Sequence, residues 1–560
     1  MRLKFQIVFL FLLVFNFASV FALEDFNVAI SNSEDWEDVY STMLFANLKG
    51  ADSEFLVSTE HGSVLLNGIS KSKKVLVVTN KKKPFVFNYE QTLKNKGFKS
   101  VDLIKVKSAT LDLIEELPEI KNFVIVGNDY GYNSIAVVPY AKITNSWVFL
   151  ADRTNIDEIS SILKSRQVDD VLVYGYVDRE VKDAIKRYNP EYVSTGDKFK
   201  DNILIVKKYL KLNPVKQVVL TNGEYIEKEI MLGNNPVLFT GRENVPDQIK
   251  DYLKDSSIEI GVLIGNELVG AATNIKRSTG ISVIAKFARG SRSPSAGIAT
   301  VEGLDLFPLP SPRLDLEVYS IKYNSATNQL EVTYKSGSNV PAYVKGTITI
   351  RLNGENLRIG DQNPFFIAPG DFKTVVYDDV ELLGEEDLSA EVYILFGEVE
   401  SALDRVLKGN IDIDFINVLD ACDLEFVSLT YNKQKEAFYL KVKNLEKISC
   451  WADVELRNVL INSVETTLGS EKVKLIGPRD KGTIEIKQRM GEEDLKDNEF
   501  IETYVYYGER KESLVKFLKG NLELNINLFS TLTKVIISLV LIIIILIILG
   551  VILKLRDDDF

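Results

Sequence analysis

The sequence predicts a multidomain chain: an N-terminal α/β head of Rossmann-like parallel-sheet repeats, then two tandem immunoglobulin-like β-sandwiches, then one C-terminal transmembrane helix. Three observations carry this expectation. Up to about residue 290, short continuous apolar runs alternate with amphipathic stretches; beyond residue 314 apolar and polar residues alternate; and 535–553 is apolar except for Ser538. Strands apolar on both faces with helices between them belong to covered parallel sheets, whereas a two-residue period belongs to strands with one wet face. A chain of 560 residues has room for about three or four domains.

In order along the chain, 1–22 begins with Arg2 and Lys4, continues with an apolar run over 7–17 and closes on Ser19-Val20-Phe21-Ala22. This is the layout of a cleaved secretory signal peptide. The head is expected over 23–292. Its apolar runs include VLVV (75–78), FVIVG (123–127), WVFL (147–150), VLVYG (171–175), VVL (218–220) and GVLIG (261–265), with helical patterns such as 157–165 and 247–255 between them. At an offset of 90 residues, Ile159, Leu163, Gly175 and Ile185 recur as Ile249, Leu253, Gly265 and Ile275, which marks repeated units at about 123–206 and 217–290. The region before about 120 offers a third, more divergent copy around KVLVVTN.

A linker is expected at 293–313, where Pro294, Pro308, Pro310 and Pro312 fall close together. The first sandwich is assigned to 314–418 and the second to 419–527. Asp315-Leu-Glu, Tyr323-Asn324, Gly397-Glu398 and Leu407-Lys-Gly-Asn return as Asp423-Leu-Glu, Tyr431-Asn432, Gly508-Glu509 and Leu518-Lys-Gly-Asn, so the two segments repeat each other and read as a stalk. The run 535–553 covers roughly 28 Å at ~1.5 Å per residue, enough for a ~30 Å hydrocarbon core. Lys554 and Arg556 put the tail 554–560 on the cytoplasmic side, giving a single-pass type I protein of the cell membrane with the bulk of the chain extracellular.

Composition narrows the function. Lys plus Arg is 67 against 79 for Asp plus Glu, a net charge of −12, so a nucleic-acid partner is not expected. With two Cys and one His, no four-ligand Cys/His zinc site and no H-E-x-x-H protease can be built, and a Ser-His-Asp mechanism would have to run through His61. An enzyme is not expected, nor a resident cofactor or metal; divalent cations bridging acidic neighbours during assembly remain an expectation resting on charge alone. Cys422 and Cys450 both lie in the second sandwich, opposite Leu314 and a position near 340–342 in the first, which suggests two positions that touch. A disulfide is the expectation in an exported protein, with two buried free thiols as the alternative.

The glycines closing 123–127, 171–175 and 261–265 lack the G-x-G-x-x-G spacing, and no G-K-[ST] occurs, so they read as structural turns. Arg153 and Arg242 stand at equivalent strand-to-helix turns, Asp152-Arg-Thr-Asn and Gly241-Arg-Glu-Asn, which serve either as caps or as a face that meets a sugar or anionic polymer. Lys81, Lys82 and Lys83 centre a lysine-rich stretch that is either a solvated loop or a polymer contact.

The stretch 217–290 resembles the cell-wall-binding repeat 2 family of surface proteins. The resemblance rests on a strand ending in Thr240-Gly241, a helix opening Val245-Pro246-Asp247 and a strand with Ile264-Gly265; Tyr225-Ile-Glu-Lys replaces the usual Pro-Asp-Ala-Leu, and Gly265-Asn266 replaces Gly-Gly. The whole layout also looks like archaeal surface-layer proteins. The resemblance implies tandem α/β units that dock non-covalently on anionic wall polysaccharide. The expected function is thus a structural cell-surface protein, a membrane-anchored surface-layer or envelope component that acts by lateral assembly with copies of itself or other envelope proteins. The alternative is a receptor or adhesin that takes a glycan or small ligand in the head.

Overall fold

The computed structural model describes residues 25–527, apart from 266–267, 287–288, 293–298, 303–304, 353 and 383–387, together with 545 and 548. The fold class is corrected at its C-terminal part: among the described residues no helix is long and apolar enough to cross a membrane. The span expected over 535–553 lies, except for 545 and 548, outside the described residues, as do the signal peptide at 1–22 and the tail at 554–560. What the structure shows is a chain of parallel α/β sheets followed by β-rich domains.

The head contains three four-stranded parallel sheets, and all three share one strand order, second, first, third, fourth. In the first unit these strands are Val28–Asn32, Asp52–Phe55, Val75–Asn80 and Val101–Val106. In the second they are Asn122–Gly127, Ser146–Ala151, Asp170–Tyr174 and Glu191–Val193. In the third they are Gln217–Thr221, Val237–Phe239, Ile260–Ile264 and Ser282–Lys286. First strands such as VAISN are buried along their whole length, as continuous apolar composition requires when helices cover both faces.

The helices after the first strands, Trp36–Leu48, Tyr132–Ile143 and the short Lys228–Met231, pack on one another. The first two are buried nearly all round and carry no polar stripe, which places them at the centre of the head. Peripheral helices such as Ile156–Lys164 and Asp247–Asp255 bury only one face. Polar contacts join the units. Tyr40 Oη donates to the Ser134 carbonyl at 3.0 Å, Asn47 Nδ2 to the Met231 carbonyl at 3.0 Å, and Lys142 Nζ to the Leu232 carbonyl at 2.7 Å. One apolar cluster runs through all three units, from Ala29 to Ile281. The head is therefore one packed body rather than three beads.

Each sandwich has eight strands, and its two layers share one long strand. Arg405–Ile416 pairs antiparallel with Ser389–Gly397 along its first part and then, through Ile413 to Ile416, parallel with Leu316–Asn324. Lys516–Asn527 repeats the arrangement with Phe500–Gly508 and Leu424–Asn432. Even the irregularities repeat, with register shifts at Val318/Ser320 and Phe426/Ser428.

Cys422 and Cys450 are joined by a disulfide, with Cα atoms 5.8 Å apart, and both are fully buried. Cys450 pairs with Ile476 as Ala342 pairs with Ile367 in the first sandwich, so Cys450 occupies the place that Ala342 holds there. It closes a sequence separation of 28. The double variant Cys422→Ala/Cys450→Ala is expected to lose about 2–4 kcal/mol in chemical denaturation of the second sandwich; an unchanged midpoint would mean that packing alone holds the two segments together.

The sandwiches do not form an extended stalk. Both fold back against the head, and the second also packs on the first through Lys373–Glu455 and Arg510–Glu331. The expectation failed because these charged partners read in sequence as ordinary solvated acids and bases.

Candidate functional site

Ligands of open parallel sheets gather beyond the carboxyl ends of the strands, where the strand order reverses. In an order of second, first, third, fourth that point lies between the first and third strands, so the residues leaving each first strand define the candidate site. They are Asn32-Ser33, Asn128-Asp129 and Asn222-Gly223. An Asn therefore recurs at one position of all three units, as S-N-S, G-N-D and T-N-G, upstream of the stretch from about residue 151 where the sequence repeat is legible.

The three Asn side chains hold protein, not open space. Asn32 Nδ2 donates to the Val86 carbonyl at 2.7 Å while its Oδ1 accepts from the Val86 N–H at 2.9 Å. Asn128 Nδ2 donates to Glu37 Oε1 at 3.1 Å and to Asp152 Oδ2 at 3.0 Å, linking the first and second units. Asn222 Oδ1 accepts from the Glu224 N–H at 3.2 Å.

Two segments of the same chain then cover this face. The first is 305–310. Asp305 meets His61 Nε2 at 3.1 Å, Phe307 packs edge-on to Phe55 at 6.1 Å, and Phe307–Pro308 pairs with Tyr225–Ile226. Leu309 N–H donates to the Glu224 carbonyl at 2.8 Å, and the Pro310 carbonyl accepts from Gly131 N–H at 3.0 Å. Glycine is needed at 131, because a Cβ there would sit 2.4 Å from Leu309 Cδ2. The second segment is the 398–406 turn of the first sandwich. Its Asp404 carbonyl accepts from the N–H groups of Glu243 and Asn244, both at 3.0 Å, ahead of the helix Asp247–Asp255. Asn244 Nδ2 donates to the Leu403 carbonyl at 2.6 Å, and Val406 N–H to Glu243 Oε2 at 2.8 Å.

Charged groups lock the second segment in place. Lys198 Nζ lies 2.5 Å from Glu398 Oε1, and Ser401 donates to Asp197. Burial alone would lower the Lys198 ammonium, but the Glu398 and Asp404 carboxylates hold it above its ordinary range. Burial pushes Asp404 up. The second sandwich reaches the second unit through Arg179, which is bonded to Asp494 and Asn462, and through Arg489, 2.6 Å from Glu180.

At the junction of the first two units, Glu37 is pushed up to about 7 by burial, with repulsion from Asp35 adding to it. The folded state thus holds the proton more tightly than the unfolded chain, so stability falls as pH rises from about 4.5 to 7 and the penalty is full above that window. Glu37→Gln keeps the amide-accepting oxygen for Asn128 and removes the charge. It is expected to stabilise the protein by about 1–3 kcal/mol at pH 8 and by almost nothing at pH 4; equal shifts in melting temperature at the two pH values would contradict this.

The sequence-predicted residues are not brought together. Lys81, Lys82 and Lys83 are exposed at the carboxyl end of Val75–Asn80, with the N–H groups of Lys82 and Lys83 held by Asn80 Oδ1 at 2.7 and 2.9 Å. The Arg153 side chain is exposed and its N–H donates to Asp178 at 3.0 Å. Arg242 lies 3.6 Å from Glu224 in the third unit. Asp152 Oδ1 takes the N–H groups of Thr154 and Asn155, so that turn is organised internally. Gly127 makes a tight turn, since a Cβ there would lie 2.6 Å from the Tyr176 carbonyl. Among the described residues no group of His, Cys, Asp and Glu is arranged to hold a metal ion. Polar clefts among the described residues elsewhere include one of about 710 Å³ between the second unit and the second sandwich around Arg179, Tyr192 and Asn462, and one of about 500 Å³ at one end of the first sandwich.

No protein-family model matches the chain, and no curated protein matches it. The family resemblance read at 217–290 therefore rests on its own residues. Among solved structures, Cwp6 from Clostridium difficile is similar at 15% identity and a TM-score of 0.38 over 46% of this chain and 44% of that one. A protein of unknown function from Porphyromonas gingivalis W83 is similar at 9% identity and a TM-score of 0.15, over 38% of this chain and 99% of that one. The YadV chaperone is similar at 12% identity and a TM-score of 0.13, over 37% of this chain and 99% of that one. The chain spans less than half the length of Cwp6, and no TM-score here reaches 0.5, so these likenesses carry no argument about function.

Proposed function

We propose that this chain is a structural protein of the cell surface, an envelope or surface-layer component that works by lateral assembly. The observation that carries the reading is the fate of the strand carboxyl-end face. A binding protein or enzyme of this architecture keeps that face open to its ligand. Here 305–310 and 398–406 fill it with apolar side chains, backbone hydrogen bonds and buried ion pairs, which turns three α/β units and a sandwich into one rigid block. The buried disulfide supports a location outside the cytoplasm, where such bonds persist. The signal-peptide-like N-terminus read in the sequence supports the same location.

The test pairs localisation with ligand screening. The protein is expected to be cleaved by protease added to intact cells, and its melting temperature is expected to stay constant across panels of nucleotides, sugars and soluble glycans. A specific stabilisation of several degrees by one compound would overturn the scaffold reading and favour a receptor or adhesin.

A further inference from the structure

Charge is segregated along this chain. Residues 71–107 hold eleven lysines and two acids, a net +9 in a chain of −12. The first sandwich, 314–418, holds eighteen acids and eight bases, a net −10. The fold gathers the lysines on one side of the first unit. Val101–Val106 is the edge strand of that sheet, and Lys105 on it is exposed. Lys81 N–H donates to the Val106 carbonyl at 2.9 Å, which sets the Lys81-Lys82-Lys83 turn beside Lys107 at the same end of the edge. At the other end, Lys99 precedes the edge strand and Lys71 lies against Gly97. Six residues of strand separate the two ends, roughly 20 Å. Lys81, Lys82, Lys83, Lys105 and Lys107 are exposed and make no salt bridge among the described residues.

The acidic counterpart is the cleft of about 500 Å³ on the first sandwich, lined by Glu355, Asp378, Asp379 and Glu381, with Arg358 as its one cation. All four acids are exposed. The cleft lies at the end of the strand Ala342–Leu352 away from Tyr343, which pairs with Gly397 beside the head contact. At ~3.3 Å per residue that strand is roughly 35 Å long, so the cleft points away from the head of its own chain.

We propose that the lysine edge of the first unit docks on the acidic cleft of the first sandwich of a second copy of this chain. The two surfaces are different, and among the described residues no ion pair joins them within one chain. Their contact is therefore heterologous, and each added copy presents a fresh edge and a fresh cleft, which carries association beyond a dimer into a ring or an open chain of copies. This rests on the proposed lateral assembly and names the surfaces that perform it.

Sedimentation of the purified full-length chain tests it. At low salt the wild-type chain is expected to associate in a concentration-dependent way, and at about 0.5 M salt to lose at least tenfold in affinity, because exposed charges are screened within a few ångströms there. K81E/K82E/K83E alone and D378N/D379N/E381Q alone are expected to remain monomeric with wild-type melting temperatures. Mixed together they still have one good edge and one good cleft, and form a 1:1 pair that does not grow. A monomeric wild-type chain at low salt, association unchanged in either variant, or a mixture that stays unpaired would overturn the proposal, as would capture of an anionic polysaccharide on the lysine edge without self-association. Ordered arrays that persist on envelopes carrying both variants would remove this contact while leaving the proposed function standing.

Discussion

Lys373→Ala is expected to destabilise the junction between the two sandwiches by about 2–4 kcal/mol, the cost of leaving the buried Glu455 carboxylate with one of its two cations. Lys373 Nζ lies 2.9 Å from Glu455 Oε2 and 3.0 Å from the centre of the Tyr506 ring, and its side chain is 8% exposed against 2% for Glu455. Burial would lower the ammonium and raise the carboxyl, yet each partner overrides it: Glu455 holds Lys373 above its ordinary range, and Lys373 with Arg457 holds Glu455 below its own. Arg457, 2.5 Å from Glu455 Oε1, stays bonded to it, so the loss falls on Oε2, which Lys373 alone holds. The expected signature is a lower denaturation midpoint together with faster proteolysis between the sandwiches. Lys373→Met/Glu455→Leu removes both charges and is expected to recover most of the loss; a single variant of wild-type stability would show that water reaches the site.

The second large effect concerns the lock between head and first sandwich. Lys198→Ala leaves Glu398 and Asp404 facing each other at a site from which water is largely excluded, and about 3 kcal/mol is expected to be lost. Amide hydrogen exchange reads this directly. Exchange should accelerate at Glu243, Asn244 and Val406, whose N–H groups hold the 398–406 turn, while the strands of the head keep their protection. Acceleration spread evenly over the whole head would mean that Lys198 supports the fold of the second unit rather than the lock.

The parallel sheets were legible because their strands are continuous apolar runs, and the sandwiches because their alternation survives in both copies. The helices Trp36–Leu48 and Tyr132–Ile143 were not legible. Each is buried on all sides, so neither shows the polar stripe by which an amphipathic helix is recognised, and Pro139 inside the second further disguises it. The first unit read only as a divergent copy because few residues of its repeat coincide; what it shares is strand order and the Asn at the end of the first strand, which depend on topology rather than on composition. In sequence 293–313 is only a break in pattern, yet Phe307 and Leu309 are buried against the head's carboxyl-end face. Composition cannot show this, since a Pro-rich segment and a plug use the same residues. Glu331, Lys373 and Asp404 read in sequence as ordinary charged residues of strands and turns, yet they are buried where domains meet.

On this reading a head closed by its own chain serves assembly rather than ligand binding. Electron microscopy of native envelopes that contain the protein, compared with envelopes that lack it, tests this. The expected result is an ordered two-dimensional array that disappears with the protein; isolated, unordered projections at high surface density would contradict assembly as its role.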